Sequence, residues 1–514
     1  MTDRKIFPKF SPTAWIILLA ALAKFGMHLY YAPGYGFFGD ELYTVALSRH
    51  LAFGYVDLPP LVPALAALSR ALLGDSFFAY HIFPALAGTA TLVAVCRIVR
   101  EFGGKAYAVA LAALAFLVVP IWLSANSVFC YDGFDQLVLA FFLLALVRYL
   151  RTGNRRLWLV LGLLAGFAAL TKLTILFMGP GFLAALLLTG HRRDLLTPWP
   201  WLGAVIWMIV VSPYLLWQQA NGWPTVEYWT AYGTARVYEA DLVQYLSNLL
   251  VYMHPLLLPL WLAGLCRIFR RMNGADHRFL AWMLAATFVL MFALHAPARM
   301  LAELFLPLLA AGAVWAEERT AGVRWGRWIK AGAAAGVAAA AALSVPLTLP
   351  ILPMDRVEAC AAPFQRLGLP IKEFNGMAFT VSPLLSGRIG WEELVRETAG
   401  VYDALPPEER AVAGIYADWY MPAGAIDQLG PAYGLPHAVS GSLTYYLWGP
   451  GYSWEVMIVV TDQTNRVAVF FDECEWKASV PHEFDEPVGR PHIFVCRKPK
   501  VPADAMWPSM KSYR

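Results

Sequence analysis

The strongest constraint on this chain is a series of apolar segments recurring through its first 350 residues. They fall at 13–31, 78–97, 106–123, 134–150, 157–171, 173–190, 199–217, 248–266, 279–295, 300–317 and 330–350. Apolar runs of this length between short charged loops suit helices whose solvent is lipid. Charged residues make up only 15% of the 514, whereas a soluble domain carries about 25%. Several runs fall short of the ~20 residues a simple span needs. Short spans predict helices shielded by protein or lining a water-filled cavity. Arg4, Lys5 and Lys9 precede the first run and no small-residue cleavage site follows, so that run is expected to stay as a span.

Orientation follows from the basic residues. With a cytoplasmic N-terminus, the inner loops hold seventeen Lys and Arg, from Arg97 to Lys330. The outer loops hold five: Arg49, Arg70, Lys172, Arg236 and Arg299. That asymmetry is the positive-inside pattern. Eleven spans then leave the C-terminus outside. The net charge of +4 is spread through these loops and builds no basic face, which argues against nucleic acid as a partner.

The first outer loop, 32–77, carries amphipathic stretches at Glu41–Leu51 and Leu61–Leu73, which suit helices lying in the membrane interface. A second outer loop, 218–247, is aromatic and weakly acidic, with Trp223, Glu227, Tyr228, Tyr238 and Glu239. After residue 350 the charge content becomes ordinary. Strands are predicted at Val412–Tyr416, Val456–Thr461, Val467–Phe471 and His492–Cys496, and a helix at Ala423–Leu429. The chain therefore divides into a membrane part, 1–350, and an α/β domain, 351–514. Cys474 and Cys496 lie in that domain. An oxidising compartment would let them pair, and two unpaired core thiols fit equally well.

Acids and cations gather on the outer side. Asp40 and Glu41 follow Gly36-Phe37-Phe38-Gly39 and open a helix. Capping accounts for one acid at such a position, but two beside a membrane face are costly unless paired or used. Asp40 is therefore a candidate general base, and Glu41 a second catalytic or orienting acid. Asp57, ahead of Pro59-Pro60, is either a turn residue or a substrate contact. Asp132 is spaced as a helix N-cap, and Asp135 lies one turn further in. Lys172 and Arg299 are rare outer cations. Each is either a snorkelling side chain or a phosphate ligand. Carboxylates for proton abstraction beside cations for a phosphate suit sugar transfer from a lipid phosphate. A proton-coupled transporter or lipid-linked-sugar flippase also needs outer acids, yet no internal repeat is visible. In the C-terminal domain, Tyr445-Tyr446-Leu447-Trp448 is expected to pack against the membrane part, with stacking on a sugar as the alternative.

These residues carry a family resemblance over nearly the whole chain. Gly39-Asp40-Glu41, Gly54-Tyr55-Val56-Asp57-Leu58-Pro59-Pro60-Leu61, Phe134-Asp135-Gln136-Leu137 and Leu170-Thr171-Lys172 carry its first part. Trp217-Gln218, Gly222-Trp223-Pro224-Thr225 and Leu306–Ala313 continue it, and Tyr433–Pro436 and Tyr445–Pro450 extend it. In order and topology the chain resembles the bacterial protein-mannosyltransferase-like and aminoarabinose-transferase-related glycosyltransferases of the GT-C class. The resemblance implies an α-helical polytopic membrane fold and inverting transfer in the bacterial inner membrane. The donor would be a polyprenyl-phosphate sugar, and the acceptor a glycolipid, glycan or protein at the periplasmic face. It implies Asp40 as base, Lys172 near the donor phosphate, and Asp135 as the acid at the start of the fourth span. Tyr55, Asp57, Asp132 and His81 become substrate contacts. A divalent cation is left open, with Asp40 and Asp135 as its ligands if present. Three places depart from the family pattern. His81 stands where members usually carry Arg, Leu58 precedes the two prolines, and His295–Glu303 is atypical.

Overall fold

The computed structural model describes residues 11–235, 241–366, 371–372, 378–462, 469–480 and 491–513. Arg4, Lys5, Lys9, Arg236, Tyr238, Glu239 and Val467, used above, lie outside the described residues. All eleven apolar runs contain helix. Helix α1 (Pro12–Met27) begins where the Ser11 side chain accepts from Ala14 N–H, with Pro12 at its first position. Among the described residues, five helices are long and apolar enough to cross a membrane, and up to seven if two sharply bent pairs each count as one span. Five more apolar helices are shorter. The five to seven candidates are fewer than the eleven spans expected, because several of the apolar runs form helices too short to cross alone. The run 106–123 is one case: it divides into Ala106–Phe116 and Pro120–Ala125, and Pro120 has no N–H to continue the first helix.

Short helices are tolerable because neighbours cover them. The Leu157–Thr171 helix packs against Pro198–Ala220, and Gly162 meets Gly203 backbone to backbone. Any Cβ at either position would collide with the opposite backbone, and small residues are what lets membrane helices approach this closely.

The segment 32–77 contains helices at the two amphipathic stretches, α2 (Gly39–Arg49) and α3 (Leu61–Leu73), ahead of α4 (Phe77–Glu101). The second, 218–247, is not a loop throughout: it contains the helix Pro224–Ala235 and the start of Leu242–Tyr252. Pro224 supplies that helix start, and the run of aromatic and polar residues hides its period.

In the C-terminal part, five strands lie in the order Ala438–Val439, Gly414–Ala417, Val456–Thr461, His492–Pro499, Phe471–Ser479. The first three are parallel and the last two join antiparallel. Val456–Thr461 is buried along its whole length, which explains its clear apolar signal. The strand expected at Val467–Phe471 begins instead at Phe471. It lies on the sheet edge, where Asp472, Glu473, Glu475 and Lys477 break up any apolar run. Cys474 and Cys496 face each other across its ladder and are disulfide-bonded, which settles their two alternatives.

The two parts share a core. Leu42, Val45 and Ala46 of α2 are buried together with Ile415, Ala423 and Ile426. Helix Tyr420–Leu429 lies directly on α2, and a Cβ at Gly424 would come 2.8 Å from the Leu42 carbonyl carbon. Gly424→Val is expected to cost about 1–3 kcal/mol, as overpacking does. The fall should appear in the thermal unfolding midpoint of the purified protein in detergent, and an unchanged midpoint would show that this contact does not join the two parts.

Candidate active site

Helix α2 starts at Phe38, with Gly39, Asp40 and Glu41 in its first turn. Consecutive helical residues diverge by about 100°, so the two acids point apart. Glu41 points inward and is fully buried. Its carboxylate accepts from Phe38 N–H at 2.7 Å and Phe129 N–H at 2.5 Å. His81 Nε2 lies 2.9 Å away and the Arg388 guanidinium 4.0 Å. Burial alone would raise the Glu41 carboxyl. His81, Arg388 and the Phe38 N–H outweigh it and hold the group below the usual carboxylate range. Arg388 is itself buried, donating to Ser127 O at 2.6 Å and Leu384 O at 2.9 Å.

This arrangement corrects two expectations. Glu41 cannot touch substrate, because four protein groups enclose its carboxylate. His81 is equally closed off, 1% exposed, with Nδ1 against Phe77 O at 2.7 Å and the Phe77 ring centroid 4.1 Å away.

Asp40 points the other way. Its Oδ1 accepts from the Tyr420 hydroxyl at 2.8 Å. Burial pushes its pKa up to about 6. The Tyr420 hydrogen bond and Arg299 oppose that rise, and Asp132 adds to it. Asp57 accepts from Tyr43 OH at 2.7 Å, and burial pushes it up to about 7. Tyr55 is 1% exposed and serves as a buttress: its carbonyl accepts from Gln218 and Thr225, both at 3.2 Å. Tyr55 is therefore not an exposed substrate contact, and the Trp217-Gln218 and Pro224-Thr225 motifs brace the first loop.

Helix α7 in this chain (Tyr131–Thr152) is N-capped by Cys130. Asp132 is thus inside the first turn and not the cap. Its carboxylate pairs with Lys172 Nζ at 2.5 Å. Lys172 caps the end of the Leu157–Thr171 helix and lies 4.9 Å over the Tyr131 ring. Arg299, on the 3-10 helix Ala298–Leu304, acts electrostatically on Asp40, Asp132 and Lys172. Asp135 is 2% exposed, faces Lys172 and Glu303 electrostatically, and has one oxygen without a hydrogen-bond partner among the described residues. Asp132, rather than Asp135, is the acid that meets the lysine, because three residues of helix carry Asp135 inward.

The structure thus brings together Asp40, Asp132, Lys172 and Arg299, with Asp57 linked to Asp40 electrostatically. Sequence reading missed Tyr420 and Arg388. Both come from beyond residue 380, and nothing local marks either as a partner of α2. Among the described residues no group of three or more His, Cys, Asp or Glu is placed to hold a metal. Asp132 is already matched by an ammonium and Asp40 by a phenol. This donor set does not fit a divalent cation.

Comparisons with known proteins bear on the fold that carries this site. Residues 57–217 match the family model of dolichyl-phosphate-mannose-protein mannosyltransferases. The chain is 26% identical over 187 residues to lipid A galacturonosyltransferase RgtD of Rhizobium johnstonii. That match covers 36% of this chain and 39% of the relative's length. The fold matches ArnT from Cupriavidus metallidurans, solved with undecaprenyl phosphate, at a TM-score of 0.58 and 15% identity, over 94% of this chain and 98% of that one. The Archaeoglobus fulgidus oligosaccharyltransferase matches at a TM-score of 0.50 and 12% identity, over 82% of this chain and 63% of that one. Together with the apolar helices, these findings support a multi-pass membrane protein whose fold is like that of ArnT, with a mannosyltransferase-family match confined to residues 57–217.

The two adjacent acids are expected to separate by variant. Glu41→Gln leaves Arg388 buried without its counter-charge and should lower stability by about 3–5 kcal/mol. Asp40→Asn weakens one hydrogen bond and should change stability by no more than about 1 kcal/mol. Denaturation of both variants in detergent checks this, and equal losses would contradict the division of roles.

Proposed function

We propose that the chain is a membrane glycosyltransferase that moves a sugar from a polyprenyl-phosphate donor to a hydroxyl acceptor. The acceptor is a glycolipid, glycan or protein. In this reading a catalytic membrane part, 1–350, lies in the bacterial inner membrane with its N-terminus in the cytoplasm, and an α/β domain, 351–514, lies in the periplasm. The distribution of Lys and Arg supports that orientation. The Cys474–Cys496 disulfide suits an oxidising compartment.

The observation that carries the reading is a partly buried carboxylate, Asp40, held by Tyr420 and influenced by Arg299 and by Asp132, which itself pairs with Lys172. Asp40 takes the proton of the acceptor hydroxyl as its oxygen attacks the anomeric carbon. The bond from that carbon to the phosphate oxygen breaks, and attack from the opposite face inverts the configuration. The lipid phosphate leaves with the electron pair. It needs charge stabilisation rather than a proton. Lys172 and Arg299 supply it, with Lys172 exchanging the Asp132 carboxylate for the phosphate. Asp57 and Asp132 orient the acceptor and the lysine.

Two measurements test the reading. Membranes containing Asp40→Asn, given labelled polyprenyl-phosphate sugar, are expected to lose about 10²–10⁴-fold in transfer. Undiminished transfer at equal expression would remove Asp40 as base. The second measurement is a pH profile. The base must be ionised, and the wild-type Asp40 pKa is about 6, so activity should fall as pH drops through that value. The Tyr420 hydroxyl stabilises the ionised form. Tyr420→Phe should therefore move the acid limb to higher pH, and a limb that stays in place would contradict the pairing.

A further inference from the structure

A second cleft opens at the far end of α2. It has a volume of about 460 Å³ and lies between Ala46 and Arg49 of α2, its capping residue His50, and the C-terminal residues Asp427, His437, Tyr445 and Trp448. We infer that this cleft binds a saccharide unit of the acceptor, remote from the hydroxyl that reacts. The inference rests on the proposed glycosyl transfer.

The volume falls within the range of small-molecule sites, roughly 300–1,000 Å³. The lining combines the two elements a sugar ring needs, an aromatic surface for its C–H face and polar groups for its hydroxyls. Trp448 stacks on His50 with ring centroids 4.2 Å apart and meets Tyr445 edge-on at 4.6 Å. The Tyr445 hydroxyl donates to Asp427 at 2.6 Å, and Asp427 also accepts from Ala438 N–H at 2.8 Å. The aromatic wall is therefore fixed before any ligand arrives, which lowers the entropic cost of binding. Arg49, held by Asp75 at 2.8 Å, and the exposed His50 and His437 add hydrogen-bonding groups at the rim.

Position decides which part of a substrate the cleft takes. Asp40 and Arg49 are nine residues apart on one helix, about 14 Å along its axis. A ring held in the cleft cannot bring its own hydroxyl to Asp40. A ligand reaching both must be an extended acceptor of more than one sugar. A peptide acceptor fits less well. The sheet edge lining the cleft, Ala438–Val439, is two residues long, too short to add a peptide strand.

The test uses the full-length protein in nanodiscs and an array of bacterial envelope oligosaccharides of one to six sugars, with a Ser/Thr-rich peptide array beside it. Asp40→Asn, slowed about 10²–10⁴-fold in transfer, should bind the longer oligosaccharides as wild type does. In the Asp40→Asn background, Trp448→Ala and His437→Ala should each weaken that binding at least tenfold, while Trp448→Phe retains most of it. Unfolding midpoints equal to the parent's exclude misfolding, and His437→Ala, an exposed position, serves if Trp448→Ala is unstable. No binding of any sugar, binding indifferent to both alanine variants, or binding of peptides alone would overturn the cleft. Cleft-dependent binding with no transfer by wild type would instead overturn the proposed reaction and leave the cleft standing.

Discussion

The buried carboxylate of Glu41 is the interaction on which the rest of the site depends. An ionised group out of water costs several kcal/mol unless charge and hydrogen bonds meet it. Here the compensation comes from four segments: Phe38 ahead of α2, His81 on α4, Phe129 ahead of α7, and Arg388 of the C-terminal part. None can shift without exposing a charge to an apolar interior. One acid therefore sets the depth and rotation of α2. Because Asp40 is its neighbour on the same helical turn, its direction is set as well.

Asp40 then works in a region of compensated charge. Lys172 is matched by Asp132, and Arg299 acts on both Asp132 and Asp40. Such a balance suits a site that must receive a phosphate: the anion takes over a cation already waiting, without a bare charge being stored beforehand. The C-terminal domain takes part, because Tyr420 donates to Asp40 and Tyr43 connects Asp57 to Thr444. Helix α2 thus belongs to both parts, with the candidate base at one end and an aromatic cleft at the other.

Much of this was legible in the chain because it depends on local periodicity. The eleven apolar runs, the helices α2 and α3, and the strand Val456–Thr461 follow from residue patterns a few positions long. The edge strand Phe471–Ser479 did not, because its outward charges erase the alternation. Of the two roles open to Asp132, cap or substrate contact, the cap falls to Cys130, because spacing alone cannot place a helix start to one residue. The family resemblance makes substrate contacts of Tyr55, inside the Gly54–Leu61 motif, and of His81, which stands where members usually carry Arg. Burial shows instead that both hold the scaffold.

By itself, then, the sequence determined that the chain lives in lipid, which loops gather the acids and cations, and that Asp40 and Glu41 stand together. Those properties follow from composition and short-range order, which every segment carries alone. Only the tertiary structure decided which acid turns toward the site and which is spent on the scaffold. It also decided that Asp132 rather than Asp135 meets Lys172, and that Tyr420, 380 positions away, completes Asp40. These are outcomes of packing, in which the cost of burying one unpaired charge selects a single arrangement from many that the same residues would otherwise allow.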